Sequence, residues 1–194
     1  MIYNYLDKLP LINEDSFVFK HTVITGDVTI KKEASIWFGT VIRGDVNSVS
    51  IGERTNIQDN STIHVTTQKY PTFIGDSVTV GHNVTIHGST IGNNSLIGMG
   101  AVLLDGCVVG SNTIVAAGSV LRMNTKIPDN VLVAGNPAVI KRELTPEEIA
   151  FFEISATNYV KYSRNYLTST PDSIYSIAEI RLIMQKLRLT TRGE

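Results

Sequence analysis

An aliphatic residue returns every six positions through most of this chain. Stepping by six from Val18 gives Ile24, Ile30, Ile36 and Ile42, and a second block holds Ile51, Ile57 and Ile63. A third holds Ile74, Val80 and Ile86, and a fourth runs Ile91, Ile97, Leu103, Val109, Val115, Leu121, Ile127 and Val133. All nineteen positions are Ile, Leu or Val, although these types fill only 54 of 194 residues. A period of six is neither the 3.6 of a helix nor the 2 of a lone strand. It calls for short strands joined by tight corners, each strand sending one aliphatic side chain inward. Three such strands close a triangular coil of about 18 residues, and stacked coils share one core. Coils then pair their backbones about 4.7–4.9 Å apart, as parallel strands do. A β-sandwich would instead place turns about every 8–12 residues.

The span from Val18 to Val133 has room for about six coils, so residues 18–140 are expected to form an all-β parallel β-helix. Composition agrees: 61 of 194 residues are Ile, Val or Thr, whose stiff branched side chains suit a pleated surface. Turn residues stand at the corners, as in Thr25-Gly26-Asp27, Gly75-Asp76 and Gly92-Asn93-Asn94. The rhythm breaks three times. Ile42 to Ile51 is a step of nine, Ile63 to Ile74 a step of eleven, and Ile86 to Ile91 a step of five. Insertions in a solenoid become loops on one face. Residues 1–17 form a lead-in, and 141–194 a C-terminal helical segment. There Thr145-Pro146-Glu147-Glu148 spells a helix start with a capping box. Ile149, Phe152, Ala156, Tyr159 and Val160 then recur at helical spacing to about Leu167, predicting an α-helix packed on the β-helix or a neighbouring subunit. A second helix is expected after Pro171.

Charge and cysteine content exclude several classes. A net charge of −1 lacks the basic excess of a nucleic-acid binder. The single Cys107 can form neither an internal disulfide nor a cysteine zinc site, and is expected to be a small buried side chain. No apolar run approaches the roughly 18 residues of a membrane span. The acidic N-terminus has no secretory h-region, which points to a cytoplasmic protein.

The histidines fall on the ruler. Allowing for insertions of three and five, Ile42, Ile63 and Ile86 stack on one side of the prism. Each is followed by an outward polar residue: Arg43, His64 and His87. His64 and His87 thus stand one strand spacing apart and can converge on one metal ion at about 2.0–2.1 Å each. His82 lies above Asp59 on another side of the prism, where a ligand diverges from the His64/His87 column. A neighbouring subunit would bring it to that column, and three prisms about a threefold axis give a homotrimer with three equivalent sites. The same apposition carries a neighbour's Asp59 to Arg43, an opposite-charge pair that would set register. Three imidazoles and an open position form a catalytic pattern suited to Zn2+, with Fe2+ or Co2+ also acceptable.

The segments SIWFGTVIRGDVN, TNIQDNSTIHV and TVGHNVTIHGSTIGNNSLIGMGAVLLDG resemble the gamma-class carbonic anhydrase family over about residues 17–165. The resemblance implies a left-handed coil, which counting alone does not supply. It implies that His64, His82 and His87 are the zinc ligands, His82 coming from the adjacent subunit of a trimer. Arg43 and Asp45 match a pair in the interface near bicarbonate, and Gln58 and Asp59 match residues beside the metal-bound water. Asn158 and Tyr159 correspond to a contribution from the C-terminal helix. The implied reaction is reversible hydration of CO2 to bicarbonate by a metal-bound hydroxide. Val46 follows Asp45, and the Val65–Pro71 loop holds no acid, so protons are expected to leave through buffer or His/Tyr routes. Three alternatives stay open: a hexapeptide-repeat acyltransferase, a zinc thioesterase, and a non-catalytic metal-stabilised trimeric subunit.

Overall fold

The computed structural model describes residues 1–190, so residues 191–194 of the C-terminal segment lie outside the described residues. The six-residue ruler becomes three aliphatic columns inside a left-handed parallel β-helix. On the first face Val18, Ile36, Ile57, Val80, Ile97, Val115 and Val133 pair rung to rung. The second stacks Ile24, Ile42, Ile63, Ile86, Leu103 and Leu121. The third stacks Ile30, Ile51, Ile74, Ile91, Val109 and Ile127. None of the nineteen side chains is more than 6% exposed. The N-terminal residues add to this stack: Ile2 pairs with Ile24 and Ile12 with Ile30, bringing the solenoid to about seven turns.

The corner between the first and second faces repeats one backbone conformation. Gly39, Asn60, Asn83, Gly100 and Gly118 all have φ between +57° and +70°. Glycine and asparagine reach that left-handed region at least cost, and His21 takes the same conformation, φ +68°, at this corner of the first coil. Asp59 and His82 each precede such a corner residue, which sets them at the prism's edge.

Helix α1 spans Pro146–Ser169 and begins on the expected capping box, Thr145 with Glu148. It buries Phe152, Ser155, Ala156, Val160 and Ser163. The helix lies on the first face of its own solenoid: Ser155 shares a hydrogen bond with Thr79 at 2.9 Å. An aromatic cluster completes the seam. Phe19 stacks on Trp37 at 4.3 Å between centroids, and Tyr159 and Tyr166 meet Trp37 edge-on. The chain then returns to the first rung, where Tyr175 donates its amide to the Val18 carbonyl at 2.8 Å. That covers a sheet edge otherwise open to further pairing. Helix α2, Ile177–Thr190, follows and lays Ile183, Met184 and Leu187 against the core.

The capping box makes a pH-dependent prediction. Hydrogen bonds from Arg142 and from the Thr145 amide hold the Glu148 carboxyl down to about 2. A carboxyl depressed from its ordinary value of 4.5 stabilises the fold fully above that value, and the contribution is lost as pH falls through about 2. Far-UV circular dichroism should therefore show less helix in Glu148→Gln than in the native chain at pH 6. The gap should close as both are titrated below pH 4.5; a constant gap would contradict this account of the cap.

Candidate metal centre

Two histidines meet where counting puts them. Strands Thr62–His64 and Thr85–His87 pair in parallel with His64 opposite His87. The imidazole centroids lie 4.9 Å apart, inclined at 67°. The rings' partners fix which nitrogens carry protons. Arg43 can only donate, and it approaches Nδ1 of His64 at 3.4 Å. The opposite nitrogen, Nε2, faces Oδ1 of Asp45 at 3.1 Å and donates to it. Nδ1 of His87 likewise donates to Oδ1 of Asp105 at 2.7 Å. The remaining nitrogens, Nδ1 of His64 and Nε2 of His87, face each other at 3.0 Å. At this hydrogen-bonding distance one proton bridges the two nitrogens, and a metal ion taking that proton's place would be held by both. Two nitrogens bound to one tetrahedral zinc ion are about 3.3 Å apart, so the donor pair fits such an ion.

Electrostatics favour the metal-binding form of His64. Burial lowers its pKa; the Asp45 hydrogen bond pulls the other way, and the Arg43 charge lowers it further. The net shift is downward, which keeps the imidazole neutral to lower pH. For Asp45 burial works to raise the pKa, but hydrogen bonds from Arg43, His64 and the Val46 amide outweigh it. The carboxyl therefore stays ionised below the usual range, and it also forms a close ion pair with Arg43.

The remaining candidates sit around the neighbouring edge. His82 pairs with Asp59 at 2.9 Å through Nδ1, which leaves its Nε2 free. Among the described residues of one chain, no group of three or more His, Cys, Asp or Glu is gathered to hold a metal. Gln58 is only 4% exposed and lies beneath α1. Its amide donates to Asn56, Asn56 donates to Thr79, and Thr79 meets Ser155, a buried ladder from the sheet into the helix. Tyr159 projects from α1; burial raises its pKa first, then the charges of Tyr162 and Asp59. Cys107 is buried, and burial likewise pushes its thiol up.

Asp105, Thr66 and the Asn56–Thr79–Ser155 ladder are hydrogen-bonded neighbours of the candidate residues that sequence reasoning missed. One signal was available for Asp105. Ile86 pairs with Leu103, so Asp105 stands one coil above Gly88, the residue after His87.

Comparison with known proteins bears on the same scaffold. The bacterial transferase hexapeptide (six repeats) family model matches residues 71–103 and 88–122. A carbonic anhydrase of Geobacillus kaustophilus is 49% identical over 166 residues, covering 86% of this chain and 91% of its own. The mitochondrial gamma carbonic anhydrase 1 of Arabidopsis thaliana is 44% identical over 190 residues, covering 95% of this chain and 69% of its own. Among solved structures, a hexapeptide transferase family protein from Anaplasma phagocytophilum is 41% identical with a TM-score of 0.83. That match covers 86% of this chain and 98% of that one. A maltose O-acetyltransferase from Clostridium difficile, at 24% identity and a TM-score of 0.52, covers 60% of this chain and 69% of its own and shares the fold alone. Near-full-length relatedness to carbonic anhydrases, on a hexapeptide-repeat scaffold that stacks His64 on His87, makes this chain a carbonic-anhydrase-like enzyme of the gamma-class carbonic anhydrase family.

Proposed function

We propose that the protein interconverts CO2 and bicarbonate at a metal site shared between neighbouring copies of a homotrimer, with zinc as the metal and ferrous iron or cobalt as alternatives. One observation carries this reading: Nδ1 of His64 and Nε2 of His87 face each other at 3.0 Å while their other nitrogens are held by carboxylates. His82, with Nε2 free at the next edge, is the third ligand, supplied by a neighbouring copy. When bound, the metal supplies Lewis acidity that brings the ionisation of a coordinated water from 15.7 to about 7.

The chain's own groups supply the rest. Arg43 places a guanidinium beside the histidine pair, where it favours an anionic product. Asp45 holds Arg43 and His64 together, and Asp59 orients His82. Gln58 orients substrate water, its amide steadied by Asn56. Tyr159, kept protonated by its raised pKa, offers a donor near Asp59. With no acid between Val65 and Pro71, the proton leaves through buffer or through His and Tyr side chains.

Stopped-flow measurement of CO2 hydration by zinc-loaded and iron-loaded protein tests the proposal. Hydration above the uncatalysed rate, rising with buffer concentration, is expected. Absence of hydration under either metal would overturn the enzymatic reading. Turnover of an acyl thioester in the same preparation would favour the acyltransferase or thioesterase alternative. Stoichiometric metal without any turnover, with the trimer dissociating on chelation, would mark a structural subunit.

A further inference from the structure

Asp105 takes no part in the site as the spacing of the histidines defines it, yet its carboxylate is the anchor of His87. Oδ1 accepts from Nδ1 of His87 at 2.7 Å and from the Thr66 hydroxyl at 2.9 Å. The carboxylate side chain is 19% exposed, so water competes little for these bonds. Thr66 belongs to the loop inserted between Ile63 and Ile74, and that loop is itself tied down. Asn47 donates to the Thr66 carbonyl at 3.0 Å, and the Thr66 amide donates to the Tyr70 carbonyl at 3.0 Å. The Tyr70 hydroxyl reaches Asn124 three coils up, at 3.2 Å.

Gly88 is what admits the carboxylate. It sits at φ +55°, where an L side chain is strained. A Cβ there would stand 2.3 Å from Oδ1 of Asp105 and 2.6 Å from Cβ of Tyr70. A bare backbone at this corner is thus a condition for the loop and the carboxylate to close over His87.

We infer that Asp105 is a positioning residue that dictates which nitrogen of His87 faces His64, with Thr66 and Gly88 fixing the carboxylate in place. By engaging Nδ1, Asp105 leaves Nε2 as the nitrogen aimed at Nδ1 of His64. An imidazole so oriented already points its second nitrogen at the ligand position before any metal arrives. The inference rests on the metal reading of the histidine pair, but the state of the ring can be observed without metal.

The test combines zinc affinity, read by competition with a chromophoric chelator, with ring-nitrogen NMR of His87 in full-length protein. Asp105→Ala should weaken zinc binding about 10–100-fold. Asp105→Asn, whose amide oxygen still accepts a hydrogen bond from Nδ1, should recover part of the loss. Thr66→Val, which removes only one of the two bonds to Oδ1, should lose less than Asp105→Ala. In metal-free native protein Nδ1 of His87 should carry its proton, and that signal should change in Asp105→Ala while the His82 ring is unaffected. Unchanged zinc affinity in Asp105→Ala, or a native His87 with Nδ1 unprotonated, would overturn the inference. If native protein binds no zinc but the Nδ1 proton depends on Asp105, the positioning role stands and the metal reading falls.

Discussion

Co-expressed in equal amounts, His64→Ala and His82→Ala chains should bind metal again although neither variant does alone. In a site closed within one chain, each substitution would destroy its own site and mixing could restore nothing. In a site shared around a threefold axis, a mixed trimer has one interface at which an intact His64/His87 pair meets an intact His82. Random assembly of the two chains should restore about a quarter of the native metal content. His64 and His82 side chains are 17% and 39% exposed, so truncating either leaves the aliphatic core untouched. Elemental analysis after gel filtration of the mixture reads the result directly. Metal at background in both variants and in their mixture would count against a shared site. Full metal in His82→Ala alone would remove His82 from the ligand set.

Ile57→Ala should cost about 2–5 kcal/mol of stability, near the upper end for a buried aliphatic truncation. Ile57 is fully buried in the first column, with Ile36 on one side and Val80 on the other. Both neighbouring rungs are held by backbone bonds: Trp37 donates to the Ile57 carbonyl and Gln58 to the Val80 carbonyl, each at 2.9 Å. The ladder fixes the distance between rungs, so the surroundings cannot collapse into the cavity. Ile127 makes a useful contrast. It ends its column with Val109 as its one paired rung and is 6% exposed. Ile127→Ala should therefore cost less, about 2 kcal/mol. Denaturant unfolding at one protomer concentration, with metal removed, separates the two. Equal losses would mean that the rungs relax around a vacancy.

How much was legible in advance depended on whether a feature is local and periodic. The aliphatic columns were legible because inward positions recur at a fixed interval, and the insertions could be counted. The pairing of His64 with His87 followed from the same count, since parallel register preserves sequence spacing. The start of α1 was legible because Thr145 and Glu148 cap backbone groups within one turn. The N-terminal rung was missed in part for lack of a signal: Ile12 stands one six-residue step before Val18, but Ile2 stands ten positions before Ile12, off the interval. The anchor on His87 was also missed. Asp105 is reached only because Gly88 has no side chain and the loop at Thr66 folds back, a combination without a periodic signature. Gln58 showed a third kind of gap, its hydrogen-bonded ladder running through Asn56 and Thr79 into Ser155 of a distant helix.

The sequence by itself determined the coil, its rung order and the stacking of two imidazoles, because each is written as a spacing along the chain. Only the tertiary structure decided which nitrogens those rings present and which carboxylates hold them. It also decided that α1 lies along its own solenoid, through Trp37, Tyr159 and Ser155. The physical reason is that hydrogen-bond direction and close approach depend on where distant side chains converge in space, whereas register depends on how many residues lie between two rungs.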